Sequence, residues 1–276
     1  MGAKICLVTG ASSGIGHATA LELLAAGHVV YGAARRVHRM AAIREAGGHA
    51  LPMDVTEDAD LLRVVGTVLD AHDRIDVLVN NAGVVVHGAV EDTPIATART
   101  HFEVNVLAPA RLCQLVLPHM RRKGSGTIVN VSSIGGEIAL PLGAWYHASK
   151  HALEAFSDTL RMEVGPFGVD VVVIQPGIIR TDFEADTARQ LREISGNGAY
   201  GRIAEAMARA AELNARAGAD GPATDPRVVA ETILRAVEAE RPQTRYVVGL
   251  HAEALLELNR SLPDREFDAR ITGPLA

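Results

Sequence analysis

A chain of 276 residues, 48% hydrophobic and 22% charged, is long enough to bury one substantial core. Its formal net charge of −6 and the lack of a basic stripe set aside a nucleic-acid role. No apolar run approaches the roughly 20 residues needed to cross a bilayer, and two cysteines, Cys6 and Cys113, make no disulfide scaffold. The first strand begins almost at once, leaving no room for a signal peptide. A soluble cytoplasmic protein in a reducing compartment is the expectation.

Residues 5–9 form an apolar run that predicts a buried strand. Gly10-Ala11-Ser12-Ser13-Gly14-Ile15-Gly16 follows, then a helix over 15–26. A glycine-rich turn between a first strand and a helix suits a dinucleotide pyrophosphate. The glycines admit close backbone approach, and the helix N-terminus offers free N–H groups. A second strand, 29–34, ends at Arg35-Arg36. The place where an acidic residue would bind the adenosine ribose holds Ala34, and two guanidiniums that can fork onto a phosphate come next. That predicts NADP(H) over NAD(H), although Ser13 stands where a basic residue would give a second such signal.

A helix over 36–46, a strand over 50–53, Asp54-Val55 and a helix over 57–72 come next. The strand 77–80 runs into Asn80-Asn81-Ala82-Gly83, which taken alone reads as a turn. A long helix is predicted over 95–122. It contains Asn105, a poor helix former that wants a reason. Arg121-Arg122-Lys123 before a glycine reads as a helix C-terminus favoured by the macrodipole. The strand 127–131 leads to Ser132 and Ser133, and a helix over 144–164 carries Tyr146 and Lys150.

Four residues apart on a helix, those two side chains share a face. An ammonium beside a phenol lowers its pKa from about 10 and lets it exchange a proton with a substrate oxygen. Ser133 is placed to hold that oxygen. Read alone, Tyr-x-x-x-Lys fits two surface residues equally well.

The strand 169–175 ends at Pro176-Gly177. Residues 182–222 then break the strand–helix rhythm, with an amphipathic helix at 202–217 ended by Gly218–Pro222. A helix over 225–239, a strand over 246–249 and a leucine-containing tail finish the chain. Alternation of this kind predicts an α/β fold, a single Rossmann-type doubly wound parallel sheet with helices on both faces. One domain over 1–276 is expected, with 182–222 an insertion covering the substrate at the carboxyl ends of the strands. Eleven histidines, including His147 and His151 beside the tyrosine, show no zinc-ligand spacing, so no metal is expected.

Six motifs in order, Thr9-Gly10-x-x-x-Gly14-x-Gly16, Asn80-Asn81-Ala82-Gly83, Asn105, Ser133, Tyr146-x-x-x-Lys150 and Pro176-Gly177, resemble the short-chain dehydrogenase/reductase superfamily over at least residues 4–182. The resemblance is to its compact branch, including hydroxysteroid- and retinol-dehydrogenase-like members. It implies reversible hydride transfer between NADP(H) and a secondary alcohol or ketone, with Tyr146 as acid/base and Ser133 orienting the substrate oxygen. Lys150 would tune Tyr146 and bind the nicotinamide ribose, and Asn105 would bond a helix-breaking backbone near the lysine.

It implies cofactor contacts from Gly10, Ser12, Ser13, Gly14, Ile15, Gly16, Arg35, Arg36, Asp54, Val55, Asn81, Ala82, Gly83, Tyr146, Lys150, Pro176, Gly177, Ile179 and Thr181. Relatives pair as homodimers or homotetramers through the helices near 95–122 and 144–164. Ile134, Ile138, Leu140, Leu142, Trp145, Val84–Val86, Ile178 and Phe183 would line an apolar pocket for a lipophilic alcohol or ketone, with Arg180 or Arg189 as anchors. The alternative is a cofactor-binding regulator without turnover, which the intact Ser133-Tyr146-Lys150 set disfavours.

Overall fold

The computed structural model describes residues 2–216 and 223–273, with 215 and 216 described in backbone only. Seven strands, β1 (Ile5–Thr9), β2 (Val29–Ala34), β3 (His49–Pro52), β4 (Val77–Asn80), β5 (Gly126–Val131), β6 (Val169–Pro176) and β7 (Arg245–Val248), pair in parallel in the order β3-β2-β1-β4-β5-β6-β7. The order reverses beside β1, which places a crevice at the carboxyl ends of β1 and β4. β1 and β4 are buried along their whole length, as continuous apolar strands covered on both faces should be.

One face carries α1 (Gly14–Ala25) and α9 (Pro226–Glu238), packed on Val8, Val79, Val129 and Ile174 with α2 (Ala41–Glu45) at the edge. The other carries α3 (Asp58–His72), α5 (Ala108–Lys123) and α6 (Ala144–Val164), packed on Leu7, Leu78 and Ile128. The predicted helix over 36–46 is a 3₁₀ turn, Val37–Met40, followed by the short α2.

The helix predicted over 95–122 is interrupted. α4 (Ile95–Phe102) passes into a π-helical turn, Glu103–Leu107, before α5 resumes. One extra residue per turn there matches the usual appearance of π-turns at functional sites. α5 ends at Gly124, φ +73, with Arg121, Arg122 and Lys123 in its last turn. Lys123 pairs with buried Asp76, and Arg121 lies 5.7 Å from the Phe167 ring, so this basic run is structural.

A polar ladder crosses the centre. Asn80 on β4 donates to Asn130 on β5 at 2.9 Å, and Asn130 donates to Ser157 on α6 at 2.8 Å. After β6 come α7 (Asp182–Ser195) and α8 (Gly201–Arg216), packed together through Ala188, Leu191, Ala208 and Ala211. Arg192 bridges them, pairing with Glu205 at 2.8 Å and with Glu212. The predicted terminating turn Gly218–Pro222 lies outside the described residues. α10 (Ala252–Ser261) and α11 (Asp264–Thr272) close the chain, packing Leu256 and Phe267 on Ile134 and Ile138. Among the described residues no helix is long and apolar enough to cross a membrane, and no group of metal-ligating side chains gathers.

Candidate active site

The glycine turn leaves β1 and packs against the residues that leave β4. Thr9 Oγ1 accepts hydrogen bonds from the amides of Asn81 and Ala82 at 3.0 and 2.9 Å, and Asn81 Nδ2 donates to the Thr9 carbonyl at 2.9 Å. A Cβ on Gly10 would lie 2.8 Å from Asn81 Nδ2, and one on Gly16 would lie 2.3 Å from the same atom and 2.6 Å from Gly10 O. Both positions therefore require glycine. Gly14 has φ +55 and lies under Thr181. We expect Gly16→Ala to cost about 1–3 kcal/mol by analogy with overpacked cores, and to abolish dinucleotide binding; a urea melt and a nucleotide titration would check both.

Ser13 is the N-cap of α1, yet its side chain makes no capping bond and no acid occupies the first turn. The first amides of α1 thus keep their positive end for an anion. This cradle fits a dinucleotide pyrophosphate.

At the end of β2, Arg35 and Arg36 are exposed. Arg36 Nη2 donates to Ser13 Oγ at 2.9 Å, which brings its guanidinium beside the glycine turn. Asp54 Oδ1 accepts from the amide and hydroxyl of Thr56 at 3.0 and 2.8 Å, the bland turn-forming role, and Val55 packs on the core. Asn80 steadies the sheet.

Asn105 now has its reason. From the π-turn its Oδ1 accepts from Val84 N at 2.9 Å and its Nδ2 donates to Val84 O at 3.0 Å, clamping the chain just past Gly83. His101 and Ser149, neither apparent from sequence, complete this cluster: His101 Nε2 lies 3.0 Å from Ser149 Oγ and 3.1 Å from Asn105 Nδ2. The four-residue spacing of His101 and Asn105 was the one available signal.

Ser133, Tyr146 and Lys150 converge at the carboxyl end of β5. Ser133 Oγ accepts from Gly135 N at 3.0 Å and donates to Pro176 O at 3.5 Å, and its hydroxyl draws the Tyr146 phenol pKa down. Lys150 Nζ donates to Val131 O at 3.0 Å and lies 5.9 Å from the centre of the Tyr146 ring. The electrostatics correct the expectation. Burial pushes Tyr146 up to about 12, against the pull of the Ser133 hydrogen bond and with help from the Glu184 carboxylate. Burial also brings Lys150 down to about 8, opposed by Glu154. Desolvation is the largest influence on both groups.

Gly177 N donates to Val248 O at 2.9 Å, just after Pro176 closes β6. A bridge to Thr224 holds Ile179 through Ile178 O and Arg180 N, leaving the amide and carbonyl of Ile179 itself unused by it. Thr181 Oγ1 caps α7, accepting from Phe183 N at 3.3 Å.

α7 lies beside α6. The Phe183 ring meets Tyr146 edge-on at 5.5 Å. Gln190 brackets the loop after β4, donating to Val85 O at 3.0 Å and accepting from His87 N at 3.1 Å, and Ser195 Oγ accepts from Ala89 N at 2.8 Å.

Three predicted pocket residues are elsewhere. Ile134, Ile138 and Leu140 belong to the core under α10 and α11, because the tail supplies the apolar surface they need. Arg180 is paired with Asp225, and Arg189 with Asp186 and Glu193, so both anchors are engaged in ion pairs. His147 is enclosed beside Tyr146. It is buried, with Nδ1 3.0 Å from Gly135 O and Nε2 accepting from Leu140 N at 3.1 Å, fixing the loop before α6. His151 Nδ1 lies 2.9 Å from the His147 carbonyl.

The family model described as short chain dehydrogenase matches residues 4–192. A 3-ketodihydrosphingosine reductase of Bacteroides thetaiotaomicron is 34% identical, over 95% of this chain and 94% of its own. Among solved structures, a short-chain dehydrogenase from Streptomyces avermitilis superposes with a TM-score of 0.79 at 35% identity, covering 93% of this chain and 92% of that one. An actinorhodin polyketide ketoreductase with NADPH gives 0.75 at 28%, over 89% and 95%. With its sheet order, glycine cradle and Ser-Tyr-Lys constellation, the chain belongs to the short-chain dehydrogenase/reductase family.

Proposed function

We propose that this protein is an NADP(H)-dependent oxidoreductase that interconverts a lipophilic ketone and its secondary alcohol. The observation that carries this reading is the convergence of Ser133, Tyr146 and Lys150 beside the glycine cradle. The first amides of α1, with Gly10, Ser12, Ser13, Gly14, Ile15 and Gly16, would hold the pyrophosphate. Ala82, Gly83, Pro176, Gly177, Ile179 and Thr181 would border the nicotinamide half, Asp54 and Val55 the adenine. Bound there, the nicotinamide supplies or accepts the hydride.

Tyr146 donates its phenolic proton to the carbonyl oxygen during reduction, and Ser133 Oγ orients that oxygen. Asn105 acts at one remove, through Val84. Lys150, brought down to about 8, stays largely protonated near neutral pH, and its charge favours the developing phenolate. α7 and α8 cover the substrate, with Phe183 against the phenol excluding water. The relatives named for 3-ketodihydrosphingosine and polyketide ketones support a lipophilic ketone. Exposed Leu107, Met162 and Phe167 beside α5 and α6 support a homo-oligomer.

The test is consumption of NADPH with a panel of medium- and long-chain ketones. Absence of turnover on every member would overturn the reading. Ala34 and the Arg36–Ser13 bond support the phosphate-bearing cofactor. The double variant Arg35→Ala/Arg36→Ala should lose about tenfold or more in NADPH affinity and leave NADH affinity within a factor of about two, since hydrogen bonds to charged groups contribute roughly 1.5–3 kcal/mol. Fluorescence titration with both cofactors would decide it; equal wild-type affinities would remove the proposed preference.

A further inference from the structure

Glu154 stands one turn beyond Lys150 on α6, so the two side chains leave the same face of the helix. Both residues are buried. A Cβ on Gly136 would lie 2.8 Å from Glu154 Cγ and 3.1 Å from Lys150 O, so the loop after β5 lies directly on this face and covers it. The carboxylate is held from two strands. Gln175 Nε2 on β6 donates to Glu154 Oε1 at 3.1 Å, and Arg245 Nε on β7 donates to Glu154 Oε2 at 3.0 Å. Gln175 Nε2 also donates to Glu137 Oε1 at 2.7 Å, and Arg260 on α10 donates to Glu137 Oε2 at 2.6 Å.

A carboxylate is expensive to bury, and Arg245 does not require a buried one. Asp158, which Arg161 shares, already accepts from Arg245 Nη2 at 2.7 Å, and its side chain is 36% exposed against 7% for Glu154. Lys150 is the group that lacks an anion. β5 offers it only the Val131 carbonyl. His101 on α4 faces it, but burial first and the ammonium second hold that imidazole down to about 4, so it is neutral near pH 7. Tyr146 is protonated in the same range. Glu137 and Arg245 lie beyond Glu154 and carry opposite charges. Burial works to strip the proton from Lys150, and the charge of Glu154 works to keep it.

We propose that Glu154 is a positioning residue for the hydride-transfer reaction, its carboxylate clamped by Gln175 and Arg245 so that it keeps the Lys150 ammonium charged beside Tyr146. This rests on the oxidoreductase reading and extends it. The charge that favours the phenolate is then set from the β7 edge of the sheet, by residues that touch neither substrate nor cofactor.

The test reads the lysine itself. The chain has three lysines, Lys4, Lys123 and Lys150, so protein labelled with ¹³C-lysine gives three side-chain signals, and Lys150→Met identifies the third. In wild type that signal should titrate at about 8. Glu154→Gln keeps the shape and removes the charge, and the midpoint should fall by about one pH unit. Glu154→Asp restores a charge and should recover about half of that fall or more. Arg245→Gln should move the midpoint the other way, upwards, because the carboxylate then answers to the ammonium alone. An unchanged midpoint in Glu154→Gln would overturn the assignment. So would a midpoint that stays or falls in Arg245→Gln, which decides the matter if Glu154→Gln does not fold.

Rates give a second readout. Ketone reduction by NADPH in Glu154→Gln should fall about fivefold at pH 8 and stay within a factor of about two of wild type at pH 6, where Lys150 carries its proton in both proteins. A lesion of structure alone lowers the rate equally at both pH values, and that result would also overturn the assignment. If the lysine midpoints move as stated while wild type oxidises NADPH with no ketone, the coupling of Glu154 to Lys150 stands and the oxidoreductase reading alone falls.

Discussion

Tyr146→Phe should bind NADPH like wild type and turn over about 10³-fold more slowly, the range expected when a positioned proton donor is removed. The change deletes one oxygen and keeps the ring, so the contacts with Phe183, His87 and His147 survive. It also removes the oxygen whose pKa the Ser133 hydroxyl draws down. Direction matters as well. Burial holds the phenol protonated up to about 12, so Tyr146 arrives at neutral pH as an acid. Ketone reduction needs that form, whereas alcohol oxidation needs its conjugate base. The oxidation rate should therefore climb with pH over the range in which reduction is flat on this group's account. Rates in both directions from pH 6 to 9, with nucleotide titrations of the variant, check this; a variant keeping the wild-type rate would remove Tyr146 from the chemistry.

Lys150→Met should lose most activity and yet melt at a higher temperature than wild type. The ammonium is buried, and burial lowers its pKa from 10.5 to about 8. Folding at pH 7 therefore carries an unfavourable charge burial of a few kcal/mol. Losing the bond to Val131 O offsets part of the gain, leaving about 2 kcal/mol of stabilisation. The sign follows from linkage. Between pH 8 and 10.5 the unfolded chain binds a proton at this site that the folded chain has released. Wild-type stability from this group thus rises across that window. The variant's advantage should be greatest below pH 8 and fade towards pH 10.5, as differential calorimetry would record. A destabilised variant at pH 7 would show that the hydrogen bond to Val131 outweighs desolvation.

Much of this architecture was legible in the sequence because its signals are local. Strands buried on both faces read as unbroken apolar runs, and Gly10, Gly14 and Gly16 mark a turn no other residue could make. Ser133, Tyr146 and Lys150 were legible by spacing. What escaped depended on distant neighbours. The π-turn at Glu103–Leu107 adds one residue without disturbing composition, so a continuous helix fitted the pattern as well. Ile134, Ile138 and Leu140 look like pocket lining until the tail, more than a hundred residues later, is seen to cover them. The high phenol pKa came from burial, which no pairwise spacing reports.

The Asn80–Asn130–Ser157 ladder has a consequence for α6. Ser157 stands eleven residues beyond Tyr146 on α6, almost a whole number of turns, so the two occupy one side of the cylinder. A purely greasy seam would tolerate a small roll or slide of α6, since apolar contact has no preferred direction. Two amides and a hydroxyl do not tolerate it. They act as a keyway, and the aim of the phenol is set three turns away by atoms that never meet the reactants.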